Sequence, residues 1–214
     1  MKKLFTPLLL FFCFSISAQS IKVIGYLPTY HWDKLGILDY QHLTHVCASF
    51  VNPDEEGNLS FEKDLNEFVS VVKSHSTIPL ISIGGGGDYS WGDKYKIYEK
   101  LIATPTSRTK FIQKLMNYVR KYDLAGIDND MEGMALELKN YNVFARELAD
   151  SLHAEGMLFT AALGVGGQWG VDLLEDSTMH KYDFIMTMSY GGVGNWNIDT
   201  KPDRGTYALS LIHI

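Results

Sequence analysis

Short apolar runs alternate with longer stretches in which apolar residues recur every three or four positions. KVIGYL (22–27), LTHVCASFV (43–51), PLISIGG (79–85), AGIDND (125–130), MLFTAAL (157–163) and DFIMTMSY (183–190) have the length and apolar content of buried strands. Between them, 62–75, 107–122 and 137–155 carry helical spacing. In 107–122, Phe111, Leu115, Tyr118 and Val119 make one face, with Arg108, Lys110, Lys114 and Lys121 elsewhere. In 137–155 the face is Leu138, Tyr141, Phe144, Ala145 and Leu148. Buried strands alternating with amphipathic helices predict an α/β fold with a parallel sheet.

Two such architectures compete, a doubly wound open sheet and a (β/α)8 barrel. The glycine-rich GGGGDYSWG (84–92) is no phosphate cradle, because neither GxGxxG nor GxxxxGK[ST] follows a first strand. Tyr26, Ser82, Gly84, Glu132 and Tyr190 fall at the C-terminal ends of predicted strands, the face where barrels build sites. The barrel is the better fit.

The first twenty residues break the pattern. Lys2 and Lys3 precede an apolar stretch, Leu8 to Phe14, that ends in Ser15, Ser17 and Ala18. This predicts a secretory signal peptide over residues 1–18, cut after Ala18 or Ser17, and too short to span a membrane. Phe12 before Cys13 argues against lipid attachment. The expected location is extracellular or periplasmic. Loss of residues 1–18 leaves 17 basic against 25 acidic side chains, a formal charge of −8. An acidic chain with no Lys/Arg cluster argues against nucleic acid or anionic membrane as partner. Cys47 would then be alone, so no intrachain disulfide forms, and it reads as a small buried hydrophobe.

The chemistry concentrates in LAGIDNDMEG (124–133). Asp128, Asp130 and Glu132 alternate, so on a strand all three point to one face, with Ile127 and Met131 on the other. Carboxylates this close share protons, and at least one stays protonated at neutral pH. Glu132, nearest solvent, is the candidate general acid. Solvated or helix-capping acids and a Ca²⁺ or Mg²⁺ site remain open, although alternate strand residues surround a hard cation poorly.

GIDNDME resembles the DxxDxDxE signature of glycoside hydrolase family 18, the chitinases and endo-β-N-acetylglucosaminidases. KVIGYLPTYHW and LTHVCASFVNP look like that family's first two strands. SIGG looks like its SxGG motif, and YDFIMTMSYG like its MxYD strand. The resemblance runs to about residue 191. It implies a barrel without cofactor or metal and a substrate-assisted mechanism, in which the substrate's 2-acetamido group is the nucleophile. It casts Glu132 as acid/base and Asp130, charged, as holder of the acetamido N–H, with Asp128 beneath and Tyr190 on the acetamido carbonyl. Tyr26, Ser82, Gly84, Gly85 and Met188 fall on the substrate side. The implied partner is an N-acetylglucosamine polysaccharide or glycan, cleaved at β-1,4 bonds. N-glycan cleavage and sugar binding without catalysis are the alternatives. Tyr30, Trp32, Trp91, Trp169 and Trp196 are candidate sugar platforms.

The chain departs from the family pattern at Ala125 (usually Asp), Asn129 (usually apolar) and Gly191 (usually Asp). A complete barrel takes about 200–250 residues or more. The expectation is therefore a partial (β/α)8 barrel over residues 19–214, about six βα units, with the C-terminal units missing. The ending ALSLIHI resembles translated sequencing adapter, so the natural protein is expected to diverge near residue 207.

Overall fold

The computed structural model describes residues 21–164, 170–189 and 209–213. The signal-peptide reading, Tyr190, Gly191, Trp169 and Trp196 lie outside them.

Six parallel strands form the wall: β1 (Ile24–Pro28), β2 (His45–Ser49), β5 (Ile78–Gly84), β6 (Gly126–Asp130), β7 (Leu158–Gly164) and β8 (Phe184–Ser189). Each falls within a residue or two of its predicted run. They lie side by side in chain order, with no reversal. That removes the doubly wound alternative, whose crevice needs a switch point. A further strand, β9 (Leu209–His213), pairs antiparallel with β8, where the apolar pattern placed none. A two-stranded hairpin, β3 (Asn52–Pro53) with β4 (Leu59–Ser60), follows β2.

The sheet curls. β1 and β8 stand first and sixth in it, so in a flat sheet they would be about 24 Å apart. Instead the Tyr26 hydroxyl lies 3.5 Å from Met186 Sδ, and the His45 ring is 5.1 Å from Phe184. Side chains therefore divide into a lumen set and a set facing the helices. Val46, Ala48, Ile81, Ile83, Ile127, Phe159 and Ala161 join the helix-side core, while Cys47, Ser82, Asp128, Thr160 and Met186 take the alternate positions.

The helix layer comprises α1 (Leu65–Ser74), α2 (Tyr95–Ile102), α3 (Pro105–Lys121), α4 (Tyr141–His153) and the short α5 (Asp176–Met179). Asp64 caps α1 by accepting from the Asn66 and Glu67 amides. Thr104 and Ser107 form a reciprocal capping box on α3, with Pro105 in its first turn. Phe111 stacks on Phe144 at 5.6 Å, joining α3 to α4. Arg108 departs from its predicted place off the apolar face. It lies one turn before Phe111 and is buried, its guanidinium donating to both Glu147 oxygens at 2.7 and 2.9 Å and to the Ile102 carbonyl at 3.2 Å. α2 is an element the pattern missed.

Candidate active site

The lumen is polar at one level. The parallel register sets Ser49, Ser82, Asp128, Thr160 and Phe184 abreast on successive strands, and Tyr26 leans in from β1. Asp128 is fully enclosed, at 0% exposure, yet well supplied with donors. Tyr26 (2.9 Å) and Ser82 (2.7 Å) donate hydroxyls to its Oδ2, and Thr160 (2.7 Å) donates to its Oδ1. Burial pushes the Asp128 carboxyl up, and the Thr160, Ser82 and Tyr26 hydroxyls pull it back toward the anion. A group that accepts three hydroxyl protons is held as a carboxylate.

Asp130 is the opposite case. It is 6% exposed, and its Oδ1 has no partner among the described residues. Burial pushes its carboxyl well up, and the charges of Asp128 and Glu132 add to that. The stack's proton therefore belongs on Asp130, with Asp128 as the anion beneath. This reverses the expectation of a charged Asp130. Glu132 is half-buried where the strand runs out, still extended at φ −121°, ψ 167°, and burial raises it too.

Above the stack lies a pocket of about 280 Å³, lined by Tyr26, Tyr30, Phe50, Asp130, Met186 and Met188 among others. Tyr26 and Met188, read as substrate-side residues, line this pocket. Ser82, Gly84 and Gly85, read as substrate-binding, take another part. Ser82 is fully buried and holds Asp128. Gly84 has φ +94°, and a Cβ there would sit 2.4 Å from the Asp130 carbonyl oxygen. Gly85 has φ +78°, donates its amide to that same oxygen at 2.7 Å, and lies under the Phe50 ring. The two glycines let the β5 exit press against the acid strand.

Sequence reasoning missed three contributors. Asn52 pairs with Gly84 through both ends of its carboxamide at 2.9 Å, and Tyr98 from α2 donates to Asn52 Oδ1 at 2.6 Å. This clamp fixes the glycine turn. Thr160 is the third. Thr160 sits in an apolar run, where a lone polar residue gives no direction, Asn52 lies in the polar stretch just past the second run, and Tyr98 belongs to the unpredicted α2.

Trp91 is 47% exposed, and its ring packs over Gly133, whose added Cβ would lie 2.7 Å away. That puts an aromatic face one residue from Glu132. Trp32 is corrected as a platform: it packs between Phe61 and Phe68 at 5.4 and 5.6 Å. Asn129 faces the helices, as expected, and donates to Tyr141 (2.9 Å) and Tyr182 (3.2 Å). The acids do not suit a hard cation, because Asp128's oxygens already face O–H donors and a metal needs them free.

Residues 22–210 match the family model Glycosyl hydrolases family 18. Probable chitinase 10 of Drosophila melanogaster is 24% identical over 208 residues, 84% of this chain and 9% of that protein. Among solved structures, a family 18 chitinase from the chitin utilization locus of Flavobacterium johnsoniae is 29% identical with a TM-score of 0.77. It covers 86% of this chain and 58% of its own. A Bacteroides thetaiotaomicron chitinase is 25% identical with a TM-score of 0.64, covering 81% and 55%. The chain spans less than two thirds of each of these relatives.

Proposed function

Because this chain belongs to glycosyl hydrolases family 18, we propose that it is a secreted glycosidase that hydrolyses β-1,4 bonds next to N-acetylglucosamine in chitin or chito-oligosaccharides. One observation carries the reading: a buried Asp130 oxygen, without a partner among the described residues, beneath an open pocket, between an anchored Asp128 and a half-buried Glu132. Such an oxygen is costly unless a ligand donor meets it. The acetamido N–H of a bound sugar is a donor of the right kind.

The steps follow from the proton inventory. Glu132, whose carboxyl burial pushes up, gives its proton to the glycosidic oxygen as the bond breaks. The acetamido oxygen attacks the anomeric carbon, and positive charge spreads into an oxazolinium ring. Asp128's fixed negative charge and the Asp130 oxygen on the acetamido N–H stabilise that charge as it develops. Glu132, now a carboxylate, takes a proton from the incoming water as the water oxygen bonds to the anomeric carbon and the bond from that carbon to the acetamido oxygen breaks. This restores the acetamido group with the anomeric configuration retained. Exposed Trp91 and Tyr30 offer apolar faces for the neighbouring sugar rings.

The test is chito-oligosaccharide turnover by the wild-type chain and by Glu132→Gln. Turnover should fall at least about a thousandfold, with an unchanged thermal midpoint and retained oligosaccharide binding. Binding without turnover by both proteins makes this a sugar-binding relative. Turnover that survives the substitution removes Glu132 as the acid.

A further inference from the structure

We propose that Thr160 is a positioning residue whose hydroxyl keeps Asp128 the anion of the lumen and so leaves the shared proton on Asp130. The geometry makes this residue different from the other two donors. Tyr26 and Ser82 both serve Oδ2 of Asp128, and either can hold that oxygen if the other is lost. Oδ1 has Thr160 alone among the described residues, at 2.7 Å, with both groups at 0% exposure. No water-facing rotamer can replace that bond. The two residues are direct cross-strand partners in the β6–β7 register, so Thr160 Oγ1 is held against Asp128 by the sheet itself.

The consequence follows from hydrogen-bond accounting. With its hydroxyl gone, Asp128 keeps a buried oxygen with no donor, and protonation becomes the cheaper state. Asp130 Oδ1 has no donor among the described residues, and the Asp128 charge acts on Asp130, so Asp130 is the group that answers a change at Asp128. The titratable groups that share the lumen with Asp128 are Tyr26 on β1, Cys47 on β2, and Asp130 and Glu132 along β6 and its exit, while Tyr182, ahead of β8, feels its charge from the helix side of the sheet. Burial holds Tyr26, Cys47 and Tyr182 neutral. The charge therefore moves between the two aspartates, and Glu132 responds to where it settles.

The experiment titrates the side-chain carboxyl carbons of ¹³C-labelled aspartate and glutamate by NMR in the wild-type chain, Thr160→Val and Thr160→Ser. Valine keeps the β-branched shape, and serine keeps the hydroxyl. The Asp128 midpoint should rise by about one to two pH units in the valine variant and return toward wild type in the serine variant. An Asp128 midpoint unmoved by valine overturns the proposal. So does a serine variant displaced as far as valine, since packing is then the cause. Thermal midpoints show that each variant folds. A valine variant that fails to fold passes the test to Thr160→Ala and Thr160→Ser, compared in the same way. A second arm rests on the glycosidase reading: the alkaline limb of the turnover profile should move up with the Asp128 midpoint. The NMR arm needs no turnover, so an inactive chain would overturn the glycosidase reading and leave this proposal standing or falling on its own result.

Discussion

The two faces of β6 solve the same problem in different ways. Each buries a polar cluster, and among the described residues each leaves one oxygen without a partner. On the helix side Asn129 gives its amide hydrogens to Tyr141 and Tyr182, whose hydroxyls also meet each other at 3.1 Å, and Asn129 Oδ1 stays unpaired. On the lumen side Asp128 collects three hydroxyls, and Asp130 Oδ1 stays unpaired. The outer cluster is an amide and two phenols that burial keeps neutral, and it is closed in by helices. The inner cluster is made of acids and opens on a pocket. An unpaired oxygen in packed protein is only a cost. The same oxygen beside a cavity is a binding site waiting for a donor, and a proton near it can be moved.

The sharpest way to break this comparison is Asp130→Asn. Turnover should fall at least about a hundredfold, while stability at neutral pH should increase. The sign follows from linkage: the folded carboxyl holds its proton above the unfolded range, so stability is lost as pH rises through the folded midpoint. The amide has no such midpoint. Thermal midpoints of both proteins from pH 4 to 8 should diverge upward. Parallel curves would mean that the lumen acid costs nothing.

His45 sharpens the comparison from the opposite end of the lumen, packed on Phe184. Burial and then the Lys22 charge lower it to about 4, so it folds neutral. Its linkage has the reverse sense. Between pH 6.5 and about 4 the unfolded chain takes up a proton that the folded chain refuses, and stability falls as pH falls. That amounts to about 2–3 kcal/mol at pH 4. His45→Gln should flatten this limb of the chemical denaturation curve, and an unchanged limb would acquit His45. The smallest effect is expected on the outer face. Asn129→Leu should cost about 1–2 kcal/mol in denaturant and leave turnover within about twofold. A hundredfold loss would mean that the helix-side cluster takes part in the chemistry.

What could be read from the sequence follows the same division. The six strands were legible because strands covered on both sides read as continuous apolar runs. The acids were legible because three carboxylates at alternate positions violate that rule. Thr160 was not, because threonine is an ordinary strand residue and MLFTAAL says nothing about which neighbour it faces. Ser82 was found but misassigned: SIGG marks a strand end, and only the register shows that its hydroxyl points at Asp128. Arg108 was placed outside because its charge was weighed over its position one turn before Phe111. The protonation order of Asp128 and Asp130 depends on donors from three other strands, which no local pattern records.

The contact of Tyr26 with Asp128 and Met186 also has a consequence in time. These partners lie 102 and 160 residues downstream. At roughly 5–20 residues per second on the ribosome, Tyr26 waits about 8–30 s for Met186 to be made. The first wall strand to be synthesised is therefore among the last to find all its neighbours, and the nascent lumen stays a trough until then. Pairings this distant in sequence also slow folding. Any factor that shields a nascent edge strand should act on β1, and over that interval.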